Sequence, residues 1–248
     1  MQRHVGRSRR SLLVKGVAFI ASAYLVAGCS GQDLTQGVVD SSKQAVQKGV
    51  DVSHYQGDLL SKITSTDDIQ FVICKATEGV DYIDPKFVKN WSTAKQKGWV
   101  RGAYHFYLAA DDPTVQAEHF ASTVNEFDSN DIAPIVDVEQ LSLGGKDVSV
   151  SELQSGLIEY LTVLEAKLGR KPMIYTSYNF AQQYLNRAQV FGKYDLWLAE
   201  YSGTQAPKIP DAWASKGFKI WQRSDNYKID SIETDSDVFY GELSEMVK

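Results

Sequence analysis

Short apolar runs, rich in β-branched and aromatic residues, recur along the chain from Gly49 onward. Amphipathic stretches with an apolar residue about every third or fourth position separate them. The first kind has the length and composition of strands, the second the period of helices. The strand-like runs are Gly49–Val52, Phe71–Lys75, Gly102–Tyr107, Pro134–Glu139, Pro172–Thr176, Leu196–Ala199, Lys219–Gln222 and Ser236–Phe239. That is the number a closed β/α barrel requires. Asp84 and Pro85 cap and open one helix, with Phe87, Val88, Trp91 and Ala94 on its apolar side. Asp112-Pro113 opens a second, carrying Ala117, Phe120, Ala121 and Val124. Ser151 starts a third, with Leu153, Leu157, Leu161, Leu164 and Leu168 about four apart and Gly169 at its end. Ser177 or Asn179 starts a fourth around Phe180, Ala181, Tyr184 and Leu185. After Leu196 the helical pattern thins. The gap holding Pro207 and Pro210 has room for one short helix at most, and the gap before Ser236 for none. The expectation is an α/β fold, an irregular barrel with poor helical cover near its end. No internal repeat or second domain is evident.

Polar residues interrupt these runs at or just past their carboxyl ends. They are Asp51, Glu78, His105, Asp137, Glu139, Tyr175, Glu200 and Gln222, with Asp235 at the start of its run. Barrel enzymes build their sites on that rim. A single strand-end acid is usually a turn former or helix cap; only the convergence of several on one rim points to a site. Asp137 and Glu139 carry it furthest. They end the β-branched run Ile135-Val136-Asp137-Val138-Glu139, project from one face and sit roughly 6–7 Å apart along the strand. Each carboxylate opposes ionisation of the other, and burial raises both. One protonated acid beside one charged carboxylate is what cleavage of a glycosidic bond requires. Tyr104, Phe106, Tyr107, Tyr175, Trp197, Tyr201 and Trp221 lie on or beside strands. Alternation sends some into the core and leaves others to stack on a sugar ring. His105 has no Ser or Cys nucleophile motif beside it, which favours an orienting or packing role over that of a base.

The first 29 residues read as an address rather than as fold. Arg3, Arg7, Arg9, Arg10 and Lys15 form a basic leader. The apolar run Gly16–Ala27 is shorter than the ~20 residues that span a bilayer. It ends in Leu25-Val26-Ala27-Gly28-Cys29, which resembles a bacterial lipoprotein signal with Cys29 as the lipidated residue. Ser8–Leu13 resembles a twin-arginine export motif, leaving the export route open between that and the general one. Residues 30–48 have no sustained apolar face and read as a flexible tether, and residues 49–248 as the catalytic domain. The expected location is outside the cytoplasm, lipid-anchored to a bacterial membrane in the cell envelope, the outer membrane being one option.

Net charge is −5, which argues against a general grip on nucleic acid. Cys74 sits in an apolar run and reads as an inert small hydrophobe. The four histidines form no metal-ligand spacing, and no phosphate-cradling glycine loop or Gly-x-Ser-x-Gly elbow occurs. The expectation is a monomer without metal or cofactor.

Several motifs in order resemble glycoside hydrolase family 25, the Chalaropsis-type lysozymes. They are Gly49-Val50-Asp51-Val52-Ser53 with Tyr55-Gln56-Gly57, Lys75-Ala76-Thr77-Glu78-Gly79 with Tyr82 and Asp84-Pro85, and Gly102-Ala103-Tyr104-His105-Phe106. Gln116–Phe120, Pro134–Glu139, Ile174-Tyr175-Thr176, Trp197–Tyr201 and Ile220-Trp221-Gln222 follow. The resemblance covers about residues 48–243. It implies an incomplete TIM-like (β/α) barrel. It also implies hydrolysis, with retention of configuration, of the β-1,4 bond between N-acetylmuramic acid and N-acetylglucosamine in peptidoglycan. Glu139 matches the family's general acid/base, and Asp51, Asp137 and Asp235 its other carboxylates. Asp237 departs from the family's usual Asn. Glu78, His105, Tyr107, Tyr175, Trp197, Tyr201 and Gln222 are the candidate substrate-binding residues. Two alternatives stay open: a non-catalytic wall-binding lipoprotein, and a glycosidase on another N-acetylhexosamine polymer.

Overall fold

The structure is a computed structural model and describes residues 45–247 except 125, 126, 146, 202 and 204. The expected signal segment, Cys29 and the tether up to residue 44 lie outside the described residues. Eight strands close into a barrel: β1 (Val46–Val52), β2 (Phe71–Glu78), β4 (Val100–Phe106), β5 (Ile135–Asp137), β6 (Met173–Ser177), β7 (Asp195–Ala199), β8 (Ile220–Ile229) and β9 (Ile232–Tyr240). A two-residue strand, β3 (Tyr82–Ile83), adds to the outer end of β2. Neighbours from β1 round to β8 pair in parallel, whereas β9 runs antiparallel to both β8 and β1 and closes the ring. β1 starts three residues before the expected Gly49, because Val46–Lys48 pair with β9.

The helices are α1 (Leu59–Lys62), α2 (Phe87–Gln96), α3 (Pro113–Thr123), α4 (Val150–Leu168), α5 (Tyr178–Tyr184), α6 (Ala188–Phe191) and α7 (Leu243–Met246). The longer ones cover the strands from β2 to β6. A single helical turn at Asp211–Trp213 fills the proline-containing gap, and β8 passes into β9 through a hairpin with no helix between. That accounts for the thinning pattern in the sequence. The cap of α4 is Ser149 rather than Ser151: its hydroxyl accepts from Glu152 N, and Glu152 reaches back to Ser149 N at 3.0 Å. Asp84 closes the turn ahead of α2 rather than capping the helix, which starts at Phe87.

Strand alternation sorts the side chains into two layers. Val50, Val72, Cys74, Val136, Ile174 and Leu196 face outward and pack under Trp91, Phe120, Leu157, Leu161 and Phe180 of the helices. Phe71, Ile73, Ile135, Met173, Ile220 and Phe239 point inward and fill the lower barrel. Gly49 belongs to the inward column. A Cβ there would stand 2.2 Å from the Phe71 ring, so the glycine is what lets that ring seat inside. Above this apolar floor the same inward columns carry polar residues. Asp51 follows Gly49 on β1, Lys75 follows Ile73 on β2, Asp137 follows Ile135 on β5, and Gln222 follows Ile220 on β8. One alternation therefore produces both the core and the acidic cup above it.

Candidate active site

The cup opens as a cleft of about 400 Å³ at the carboxyl ends of the parallel strands. Asp51, Asp137, Glu139 and Asp235 all line it, as do Glu78, Tyr175, Trp197 and Gln222. Asp235 reaches this rim because β9 is antiparallel. The start of β9 lies where the other strands end. A second hollow of about 340 Å³ is lined by Glu200, Tyr201, Tyr178 and Lys208, and it meets the first at Glu139 and Tyr175. Glu139 thus stands where two adjoining hollows join.

His105 and Tyr107 are not in this cleft. Both are fully buried on the outward face of β4 and the turn after it. His105 stacks on Tyr160 of α4 at 5.2 Å and bonds to Thr77 and Gln116. Tyr107 packs edge-on to the same Tyr160. Their inward neighbours Tyr104 and Phe106 line the cleft instead, together with Ser53, Tyr55 and Lys75. Lys75 was open to discovery by alternation, since it shares its parity with Phe71 and Ile73. Burial makes His105 a poor proton carrier, depressing it to about 3.

Gln222 organises the floor. Its Oε1 accepts from Tyr175 Oη at 2.8 Å and from Tyr201 Oη at 2.5 Å, and its Nε2 donates to Asp51 Oδ2 at 2.8 Å. Two hydroxyl donors on one side and a carboxylate on the other fix the amide's orientation. Trp197 donates from Nε1 to Asp237 Oδ1 at 2.8 Å. Lys75 Nζ pairs with Glu78 at 2.5 Å. Asp137 Oδ1 is buried with no hydrogen-bond donor among the described residues.

Enclosure and crowding raise the acids together. Burial, then Asp235 and Asp237, push Asp51 well above the ordinary carboxylate range. Burial and then Glu139 do the same to Asp137. Glu139 rises through burial and the charge of Asp235, with Lys75 opposing. Asp235 rises to about 6, mainly through burial. Cleft acids raised by burial and by one another are the ingredients of acid/base chemistry. Among the described residues no group of His, Cys, Asp or Glu is arranged to hold a metal ion.

Residues 50–232 match the family model for glycosyl hydrolases family 25. Two relatives illustrate the range of similarity. Uncharacterized protein YegX of Escherichia coli K12 is 33% identical over 205 residues, covering 80% of this chain and 71% of YegX. Lysozyme M1 of Streptomyces globisporus is 29% identical over 216 residues, covering 85% of this chain and 71% of that protein. The crystal structure of a bacterial lysozyme from Streptomyces coelicolor superposes with a TM-score of 0.72 at 26% identity, over 81% of this chain and 95% of its own. With barrel, acidic cup and family model in agreement, the chain belongs to glycosyl hydrolases family 25.

Proposed function

We propose that this glycoside hydrolase is an N-acetylmuramidase that cuts the β-1,4 bond between N-acetylmuramic acid and N-acetylglucosamine in peptidoglycan. The observation that carries the reading is the place of Glu139 at the junction of two hollows, one of them holding Asp51, Asp137 and Asp235. A glycosidic bond laid across that junction puts one ring in each hollow and the leaving oxygen beside Glu139. Glu139 protonates that oxygen and afterwards activates water. Asp137 orients the acetamido group of the sugar in the acidic hollow and stabilises the positive charge that develops there.

Substrate also decides where the proton sits. Burial in the cleft raises Asp137 as well as Glu139. An acetamido N–H donating to Asp137 Oδ1, the atom that lacks a donor, favours the charged form of Asp137 and leaves the proton to Glu139. Asp51 and Asp235 shape the ring-binding subsite, with Tyr175 and Trp197 as its apolar walls and Gln222 holding Asp51. Glu78 acts through Lys75, and Tyr201 borders the second hollow. All of these groups lie within one chain, so the site as proposed needs no second subunit, and we infer a monomer.

The basic leader and the Leu25–Cys29 sequence support export and a lipid anchor on Cys29, which would keep the enzyme on a membrane of the envelope next to its substrate. Among the described residues no helix is long and apolar enough to cross a membrane. Fatty-acid labelling of the full chain and of Cys29→Ala tests the anchor, with label expected only on the former.

Digestion of defined peptidoglycan followed by analysis of the reducing ends tests the activity. N-acetylmuramic acid ends are expected. N-acetylglucosamine ends, or undigested wall carrying bound protein, would overturn the reading.

A further inference from the structure

Asp237 is a carboxyl the mechanism above does not use. It lies on the inward column of β9, between Gly49 of β1 and Gln222 of β8, and is fully buried beneath the cleft. Its Oδ1 accepts from Trp197 of β7. Its Oδ2 is buried and receives no hydrogen bond from an N–H or a hydroxyl among the described residues. Within hydrogen-bonding reach stands the Asp51 carboxyl, which also contacts Asp235. Asp51 already takes the Gln222 amide on its Oδ2. The strands packed against Asp237 thus bring two titratable groups to it, Asp51 from β1 and Asp235 from its own β9, and both are acids. Two carboxylates cannot bond to one another unless a proton lies between them.

We propose that Asp237 is a positioning residue: it shares one proton with Asp51, and that bridge holds the Asp51 carboxyl in place on the floor of the cleft. The proton belongs to the pair rather than to either acid. Without it, three adjacent negative charges, on Asp51, Asp235 and Asp237, would face one another under the sugar site. Burial raises Asp237 to about 8, which places loss of the bridge on the alkaline side.

The catalytic consequence rests on the muramidase reading; the shared proton does not. Asp237→Asn separates the two. An amide of the same shape can accept from Trp197 and donate to Asp51, but carries no titratable proton. The first readout needs no substrate: thermal midpoints of both proteins from pH 5 to pH 9. Asp237 is raised in the folded state from an unfolded value of about 4. Its contribution to stability is therefore complete below that value and is lost as pH rises through about 8. The gap in midpoint should widen in favour of Asp237→Asn between pH 5 and pH 9. The second readout is kcat/KM on soluble peptidoglycan fragments. Above pH 8 the unmutated enzyme should lose activity about a hundredfold per pH unit, through two protons, and Asp237→Asn about tenfold, through Glu139 alone. Parallel stability curves, equal alkaline slopes, or a folded Asp237→Asn inactive at pH 6 would each overturn the shared proton. If neither protein cuts peptidoglycan while the midpoint gap still widens, the shared proton stands and the muramidase reading falls.

Discussion

Gln222 donates to Asp51 over 2.8 Å, joining residues 171 positions apart in the chain. The bond fixes a cleft carboxylate from β1 to the floor strand β8, and both tyrosine hydroxyls on Oε1 depend on the same amide. Replacing Gln222 by Leu leaves buried polar groups without partners. The expected cost is about 1–3 kcal/mol of stability, with a fall of about tenfold or more in turnover from the freed Asp51. Urea unfolding and fragment hydrolysis measure the two. Unchanged turnover in a folded Gln222→Leu protein would show that Asp51 needs no such support.

Lys75 is the cation that opposes the rise of Glu139 and Asp137. In Lys75→Met the opposition is gone and Glu78 loses its partner. Glu139 then holds its proton to higher pH, so the alkaline limb of kcat/KM moves upward. A limb displaced to lower pH would contradict the electrostatic role given to Lys75.

Stability should also follow pH with a definite sign. Asp51, Asp137, Glu139, Asp235 and Asp237 are all raised in the folded protein. From about pH 7 to pH 9 the folded state therefore binds more protons than the unfolded one, and stability declines as pH rises. Below pH 7 His105, which burial depresses to about 3, pulls the other way, and so do Asp58, Asp68, Glu152 and Asp195, all of them lowered. Thermal denaturation at pH 7 and pH 9 should give the higher midpoint at pH 7. The reverse order would mean that the cleft acids are not raised.

Gly49 has a steric rather than a conformational reason to be glycine. A methyl group there would overlap the Phe71 ring inside the barrel. Gly49→Ala should destabilise by about 1–3 kcal/mol through overpacking. Phe71→Leu, by making room, should restore part of the loss in the double variant. Additive effects would place the two residues out of contact.

Much of this was legible in the residues because one period governs both core and site. Ile135 and Asp137 share a face, and the odd positions of Phe71-Val72-Ile73-Cys74-Lys75 lead from floor to cleft. The same rule separates Tyr104 and Phe106 from His105 and Tyr107, but only once one knows which face is inward. That depends on α3 and α4 covering the other side, a tertiary fact. The reversal of β9 was hidden for a different reason. It turns at Asp230 and Ser231, two non-glycine residues in the left-handed region with φ of 46° and 66°, without the Asn-Gly or Asp-Gly pair that signals such hairpins. Hence the rim position of Asp235 followed from the family resemblance and not from its own run. The cap of α4 did carry a local signal. Ser149 stands three residues before Glu152, and that spacing distinguishes it from Ser151. α1, with four residues, is too short to display any period.

The most direct test of the whole account is turnover by Glu139→Gln on purified peptidoglycan, with binding to wall fragments measured on the same preparation. The amide keeps the shape of the side chain but has no proton to give the leaving oxygen. Turnover should fall by about a hundredfold or more while fragments remain bound. Lysis at the rate of the unmutated enzyme would remove Glu139 from the chemistry and contradict the account.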